Sequence, residues 1–215
     1  IRMMQGLAFV DSSNLFLMEA EKTLFTPLNR KLKQLVKEGV IGQLRYVEGS
    51  YSYPIDLSEM EEDHWCFSKE AGGSVYDVVY PICYANWFSD GCISDIQAVK
   101  DCAAGGYDMF TQALLTYDNG VIASVRSGWK QWMDNRGVLY GSKGSIETEN
   151  FWKNTRAILK RDGICTPIEV DMKSDFTGEV EHAAACIQQG LLESPILGER
   201  QSMEIMKVLE YVKSL

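Results

Sequence analysis

Histidine, paired cysteines and basic runs are scarce in this chain. It has two histidines, His64 and His182, and six cysteines that form no Cys-x-x-Cys pair, so we expect no metal site. The net charge is −9 and lysine and arginine never cluster, which argues against nucleic acid or membrane partners. Neither a signal peptide nor an apolar run long enough to span a bilayer is recognisable. Scattered cysteines predict reduced thiols and a cytoplasmic protein.

What the chain does have is an ordinary globular composition. Of its 215 residues, 46% are hydrophobic and 24% are charged, which is enough to build the core of one large domain or two small ones. Asn119-Gly120, between two alternating segments, predicts a β-hairpin. Glycine-containing turns at residues 141–144 and 162–163 predict two more hairpins. With six to eight strands and four or five helices, we expect an α+β fold, an open, mostly antiparallel β-sheet with helices packed on one face.

Local signals also place elements in the first quarter of the chain. Thr26-Pro27 predicts a helix start, because a hydroxyl cap precedes a proline, and Gly39 predicts its end. Residues 43–53, rich in Tyr, Val and Leu, predict a strand. Residues 1–13 predict the end of a helix, and residues 15–20 a short buried strand.

Two apolar surfaces follow from this pattern. Helices can cover only one sheet face well, so the other face would present an apolar surface to water. Large exposed apolar patches mark interfaces, and we therefore predict a homodimer through the open sheet face, with a helix-covered second face as the alternative. Residues 179–192 predict a helix whose apolar side comprises Val180, Ala183, Ala184, Ile187 and Leu191.

The stretch around residues 70–88 is the strongest candidate for chemistry. A glycine pair, Gly72-Gly73, opens an apolar helix into which Asp77 and Tyr80 are set. Pro81 cannot bond to the carbonyl of Asp77, so the helix should bend or begin at these polar residues. A carboxylate and a phenol held together are suited to proton handling. Alternatively, Asp77 caps a helix and Tyr80 is a core aromatic residue.

Segments in a fixed order carry a family resemblance. They are FLMEA at residues 16–20, FTP at 25–27, GVIG at 39–42, GGSVYD at 72–77 with Tyr80-Pro81 after it, GSKGSI at 141–146, and the last helix at 202–215. Together they resemble the substrate domain of the Gfo/Idh/MocA oxidoreductases. The dimeric dihydrodiol dehydrogenase and glucose-fructose oxidoreductase branch is the most similar, because it has tyrosine where inositol dehydrogenases have histidine.

The resemblance implies a division into domains. Residues 1–20 would be the tail of an N-terminal dinucleotide-binding Rossmann domain, and residues 21–215 the substrate-binding and dimerisation domain. The terminal helix, 201–215, would be able to pack back on the Rossmann side. Neither a glycine-rich loop nor the Glu-Lys-Pro motif of the family is present. We therefore expect a longer protein, in which NAD or NADP is held mainly by the other domain.

The resemblance also implies roles for single residues. Tyr80 would be the acid or base at the substrate oxygen, activated by a cation, and Asp77 would orient the substrate hydroxyl. Lys22, Trp65 and Gly73 would contact substrate, and Glu19 would lie near the cofactor. The alternatives are a solvated loop cation for Lys22 and an ordinary core residue for Trp65.

Three positions depart from the family pattern. Tyr80 follows Asp77 by three residues where four are usual, and Cys66 and Leu24 stand where arginine is common.

Two functions are therefore expected from the sequence. The first is the substrate domain of an NAD(P)-dependent oxidoreductase that moves a hydride between nicotinamide and a sugar, polyol or related hydroxylated small molecule. This chain alone would be inactive, since it lacks the cofactor domain. The second is a non-catalytic ligand-binding or dimerisation module with the same fold.

Overall fold

One eight-stranded sheet organises the described residues, which are 15–61, 63–68, 72–77 and 79–215 of a computed structural model. Its strand order is β2-β3-β4-β1-β5-β6-β7-β8. Every neighbouring pair is antiparallel except β1 and β4, which are parallel. This confirms the expected open, mostly antiparallel α+β sheet. The strands are β1 Leu44–Ser52, β2 Ile93–Cys102, β3 Asp108–Tyr117, β4 Ile122–Gly128, β5 Arg136–Gly141, β6 Ser145–Glu149, β7 Arg156–Arg161 and β8 Ile164–Glu169.

The three predicted hairpins are confirmed. Asn119-Gly120 connects β3 to β4, residues 141–144 connect β5 to β6, and residues 162–163 connect β7 to β8. The first and third turns use a positive φ, at Gly120 (+84°) and at Gly163 (+76°), which matches the twist of tight hairpins.

Five α-helices lie within the described residues. Thr26 caps the first of them as predicted, since its hydroxyl accepts a hydrogen bond from the Asn29 amide at 3.3 Å. The central segment forms two helices instead of one, so the predicted interruption between Asp77 and Tyr80 is confirmed. The helices are α1 Pro27–Lys37, α2 Ser74–Asp77, α3 Tyr80–Ser89, α4 Thr177–Gln188 and α5 Glu199–Ser214.

The start of the chain differs from expectation. The helix predicted at residues 1–13 lies outside the described residues. The strand predicted at 15–20 is wrong, because the segment forms only a single bridge, from Leu17 to Glu193. Its leucines are not buried, Leu15 being 53% and Leu17 41% exposed. An apolar segment becomes a strand only where a partner strand accepts its backbone hydrogen bonds. Here only Glu193 pairs with the segment, at Leu17.

The core lies between one sheet face and the helices. On the covered face, Val47 of β1 pairs with Ala123 and Leu139 of the neighbouring strands, and all three are fully buried. Helix α3 contacts β1 and β4, and α5 packs on α3 and β2. The open face carries the alternate residues, among them Leu114 and Ile122.

The apolar side predicted for α4 is mostly exposed. It includes Val180 and Ile187, which are 64% and 60% exposed. Instead Glu179 and Cys186 are buried. The helix also ends earlier than predicted, at Gln188.

Asp108 fixes where α2 begins. Its Oδ2 accepts hydrogen bonds from the Val75 amide at 3.0 Å, the Ser74 hydroxyl at 2.5 Å and the Thr111 hydroxyl at 2.9 Å. Gly73 passes directly over this carboxylate with φ of +97°, and a Cβ at Gly73 would lie 2.1 Å from Asp108 Oδ1. A side chain at residue 73 therefore conflicts with both the backbone and the cap.

We predict that Gly73→Ala lowers the free energy of unfolding by roughly 2 kcal/mol or more. The positive φ costs about 1–2 kcal/mol, and displacing the buried carboxylate from its donors adds about 1–3 kcal/mol. Urea denaturation measures the change. Gly120→Ala is the control, because Gly120 has a similar φ (+84°) but no atom within 4 Å of the added Cβ. Equal losses in the two variants would contradict the role given to Asp108.

Candidate functional site

The parallel pairing of β1 and β4 brings two aromatic donors to one point. Ser52 at the end of β1 is in register with Gly128 at the end of β4. Because parallel strands end at the same edge of a sheet, the next residues of the two strands, Tyr53 and Trp129, emerge side by side. The Tyr53 hydroxyl donates to Asp77 Oδ2 at 2.7 Å, and the Trp129 indole N–H donates to the same oxygen at 2.8 Å.

This arrangement decides between the two interpretations of Asp77. It is the last residue of α2, and the residue that precedes α3 is Val79, which makes no side-chain capping bond. Asp77 therefore does not cap a helix. Its carboxylate is held by two aromatic donors at the sheet edge, which fixes its position without neutralising its charge.

Tyr80 opens α3 within a cluster of aromatic rings. Its ring centroid is 5.8 Å from that of Tyr51 and 6.4 Å from that of Trp152. Tyr51 stacks on Trp152 with centroids 3.8 Å apart and contacts Tyr53 at 5.5 Å. Tyr51 and Tyr53 alternate along the chain and so lie on one side. Tyr80 is half-buried rather than a core residue.

The surroundings of Tyr80 keep its hydroxyl protonated. Burial raises the pKa of Tyr80 to about 12, and the negative charge of Glu21 and Asp77 adds to the effect. Burial also raises the pKa of Tyr53, as does its hydrogen bond to Asp77. We expected a cation to activate Tyr80, but the charges that act on it here are anionic. A neutral phenol of this kind is a proton donor.

Lys22 forms an ion pair with a carboxylate of this chain. Its ammonium nitrogen is 2.5 Å from Asp175 Oδ2 and 4.3 Å from the centroid of the Phe176 ring. The side chain is only 14% exposed, so Lys22 is not the solvated cation that was the alternative interpretation. Its charge is paired with that of the Asp175 carboxylate.

The remaining predicted site residues are Trp65, Gly73 and Glu19. Trp65 is 48% exposed and therefore is not a core residue. Its turn is tied to the glycine pair, since the amides of Gly72 and Gly73 donate to the carbonyls of Ser68 and Cys66. Glu19 lies near Ser202 at the start of α5, and burial raises its pKa.

Sequence reasoning missed several residues of the site. Tyr51, Tyr53, Trp129 and Trp152 come from separate parts of the chain, and only the long-range strand pairing brings them together. The alternation of Tyr51 and Tyr53 on a predicted strand was the one local signal. The burial of Glu21, next to Lys22, was not predicted, because charged residues are rarely buried.

The chain also has a groove of about 920 Å³, lined by residues 133–136, 147–150 and 153–158. Its lining includes neither Asp77 nor Tyr80. Within the described ranges, no three His, Cys, Asp or Glu side chains are grouped to hold a metal ion. No helix among the same residues is long and apolar enough to cross a membrane.

Comparison with known sequences identifies relatives. Residues 29–147 match the model of the GFO/IDH/MocA C-terminal domain. The trans-1,2-dihydrobenzene-1,2-diol dehydrogenase of Mus musculus is 27% identical over 209 residues, 93% of this chain and 61% of the relative. The enzyme of the same name from Homo sapiens is 25% identical over 212 residues, 94% of this chain and 62% of the relative. The chain thus spans about three fifths of the length of these curated relatives.

Solved structures share the fold at lower identity. An aldose-aldose oxidoreductase from Caulobacter crescentus, complexed with glycerol, superposes with a TM-score of 0.84 at 20% identity, covering 97% of this chain and 64% of that one. A 3-ketoreductase from Actinomadura kijaniata in complex with NADP gives a TM-score of 0.77 at 20% identity, covering 98% and 64%. The family expected from the sequence motifs is confirmed, and this chain belongs to the Gfo/Idh/MocA family, whose C-terminal domain it matches.

Proposed function

We propose that this chain is the substrate domain of an NAD(P)-dependent oxidoreductase that acts on a cyclic hydroxylated small molecule. The observation that carries the proposal is the Asp77 carboxylate, fixed by Tyr53 and Trp129 beside the neutral phenol of Tyr80. Family membership supports it, because the relatives are named as dehydrogenases.

Each of these residues has a distinct task in the proposed reaction. The nicotinamide supplies or accepts the hydride when bound. Tyr80 donates its proton to the substrate oxygen as a carbonyl becomes an alcohol, and takes the proton back in the reverse direction. Asp77 accepts a hydrogen bond from a neighbouring substrate hydroxyl, which orients the ring. Tyr53 and Trp129 keep the carboxylate still, so little reorganisation is needed during the reaction.

The aromatic rings favour a ring-shaped substrate. Tyr51 and Tyr80 are half-buried and present apolar ring surface beside a hydrogen-bonding carboxylate, and the buried Trp152 packs against them. Such a surface suits a molecule with one apolar face and vicinal hydroxyls, which describes dihydrodiols, sugars and cyclic polyols alike. We propose Trp65 and the Gly73 backbone as further substrate contacts, because the Trp65 turn is bonded to the glycine pair.

The described residues do not form a nucleotide site by themselves. Lys22 is paired with Asp175, and the glycine-containing turn at residues 141–144 joins two strands instead of opening a helix. We propose that NAD or NADP is held mainly by an N-terminal domain, of which residues 1–20 are the tail. The exposed apolar side chains of Leu15, Leu17, Val180 and Ile187 are the surface that such a domain would cover.

We further propose that the protein is a homodimer through the open face of the sheet. Leu114, Ile122 and Tyr140 are each about 40% exposed there (42%, 40% and 39%). The Tyr46 ring packs on Tyr140, with centroids 5.7 Å apart, next to the ion pair of Arg126 with Glu48. A mixed aromatic and charged face of this kind is typical of protein interfaces.

A non-catalytic ligand-binding module remains the second candidate. The anionic surroundings of Tyr80 favour it, because they oppose the tyrosinate that an alcohol oxidation would require. The same surroundings keep Tyr80 protonated, which is the form in which it would begin a carbonyl reduction. Turnover is therefore what separates the two candidates.

We expect Tyr80→Phe to lower kcat for NAD(P)H-dependent reduction by roughly 10²–10⁴, the usual contribution of a general acid. Asp77→Asn should lower kcat/KM at least about tenfold, because the amide orients the hydroxyl less well. The assay follows nicotinamide absorbance with the natural full-length protein and a panel of cyclic ketones, dihydrodiols, sugars and polyols. Tyr140→Phe on the open face is the matched control and should leave both constants unchanged.

Two results would contradict the proposal. Full activity in Asp77→Asn would remove its assigned role. Binding of panel compounds without any turnover by the wild-type protein would establish the non-catalytic module instead.

The dimer has its own test. Light scattering coupled to size exclusion should give twice the chain mass for the wild type. Ile122→Arg should give a monomer, because it places a charge on the open face. Glu181→Arg, at an exposed position of α4, is the control for an added arginine and should remain dimeric. A monomeric wild type at micromolar concentration would rule out the proposed interface.

A further inference from the structure

A buried carboxyl group lies beside the first turn of α3. Glu21 is only 5% exposed. It precedes the 3-10 turn Lys22–Phe25, and its Oε1 accepts a hydrogen bond from the Thr23 amide at 3.2 Å. This turn packs against α3, the helix that Tyr80 opens. Burial raises the pKa of the Cys83 thiol, one turn after Tyr80 on the same helix, and the nearby carboxyl group of Glu21 raises it further.

Among the described residues, Glu21 forms no ion pair, and no cation is among the main groups that shift its pKa. Its neighbour Lys22 is bound to Asp175 and lies over Phe176. From α3, Glu21 is faced by Cys83 and Tyr80, and from α4 by Glu179.

The other acidic groups nearby add to this imbalance. Glu179 is itself buried, and its Oε2 has no hydrogen-bond partner within the described part of the chain. Glu19 lies near the same thiol from the segment that carries Glu21. A buried carboxylate in such a place is costly, and protonation relieves the cost.

From this placement we infer that Glu21 is a positioning residue for Tyr80, and that the charge on Glu21 controls how tightly the Tyr80 hydroxyl holds its proton. The inference rests on the proposed function, in which Tyr80 donates a proton to substrate. No proton passes between the two residues in this scheme, because Glu21 acts through its charge alone.

The direction of the effect follows from the sign of that charge. Burial raises the pKa of Glu21 to about 7, so the carboxyl group is neutral below that pH and negative above it. Ionised Glu21 raises the pKa of Tyr80, which weakens the phenol as an acid. Carbonyl reduction should therefore slow as the pH rises through about 7.

The test measures the two groups directly in this chain. With ¹³Cζ-labelled tyrosine, the Tyr80 resonance, assigned by its loss in Tyr80→Phe, is followed by NMR between pH 5 and pH 9. We expect an inflection near pH 7, caused by the ionisation of Glu21. Glu21→Gln, which keeps the shape of the neutral acid, should abolish the inflection. Glu181→Gln, an exposed position on α4, should retain it.

Other outcomes would overturn the inference. An inflection that survives in Glu21→Gln, or that disappears in Glu179→Gln instead, assigns the effect to another group. A Tyr80 chemical shift that does not change with pH in the wild type shows that Glu21 does not act on Tyr80. These NMR results do not depend on turnover, so failure of the hydride-transfer assay leaves them intact and tests the proposed function separately. In an active full-length protein, Glu21→Gln should also remove the loss of reductase kcat near pH 7.

Discussion

The site depends on the hydrogen bonds that the Asp108 carboxylate accepts. This carboxylate gathers three donors, the Val75 amide and the hydroxyls of Ser74 and Thr111, and thereby anchors the start of α2 to the beginning of β3. Helix α2 is only one turn long, so it has little stability of its own. Asp77 is the last residue of that turn. The Asp108 cap at the start of the turn therefore fixes the position of Asp77. A short, externally capped turn holds a carboxylate more firmly than a loop would.

The parallel pairing of β1 with β4 supplies the other half of the geometry. It brings Tyr53 and Trp129 together at one edge, where they bind the carboxylate that the cap has positioned. Local signals in the sequence predicted three of the hairpins, the capped helix α1 and the interruption before Tyr80. They could not predict the pairing of β1 with β4, because turn residues indicate only which neighbouring segments pair, and these two strands are far apart in the chain. The aromatic cluster was missed for the same reason.

The errors in the sequence-based expectations share one physical cause. Residues 15–20 were expected to form a buried strand, but Leu15 and Leu17 are exposed. Val180 and Ile187, on the apolar side predicted for α4, are exposed as well. Periodicity reports which side of a segment avoids water but not what covers it. Lys22 and Glu21 show the converse, since a charged pair adjacent in sequence suggests a solvated loop. In the structure Lys22 is paired with Asp175, and Glu21 is buried without an ion pair among the described residues.

The central place of β1 also has a consequence for how the sheet assembles. Strands β2 to β4 and strands β5 to β8 each follow one another through short connections, so each group is able to form early from local contacts. Strand β1 comes first in the chain, yet it lies between the two groups and joins them. Pairings between distant segments carry a larger entropic cost and form late. The edge that presents Tyr53 and Trp129 is thus completed only when the two halves of the sheet are joined.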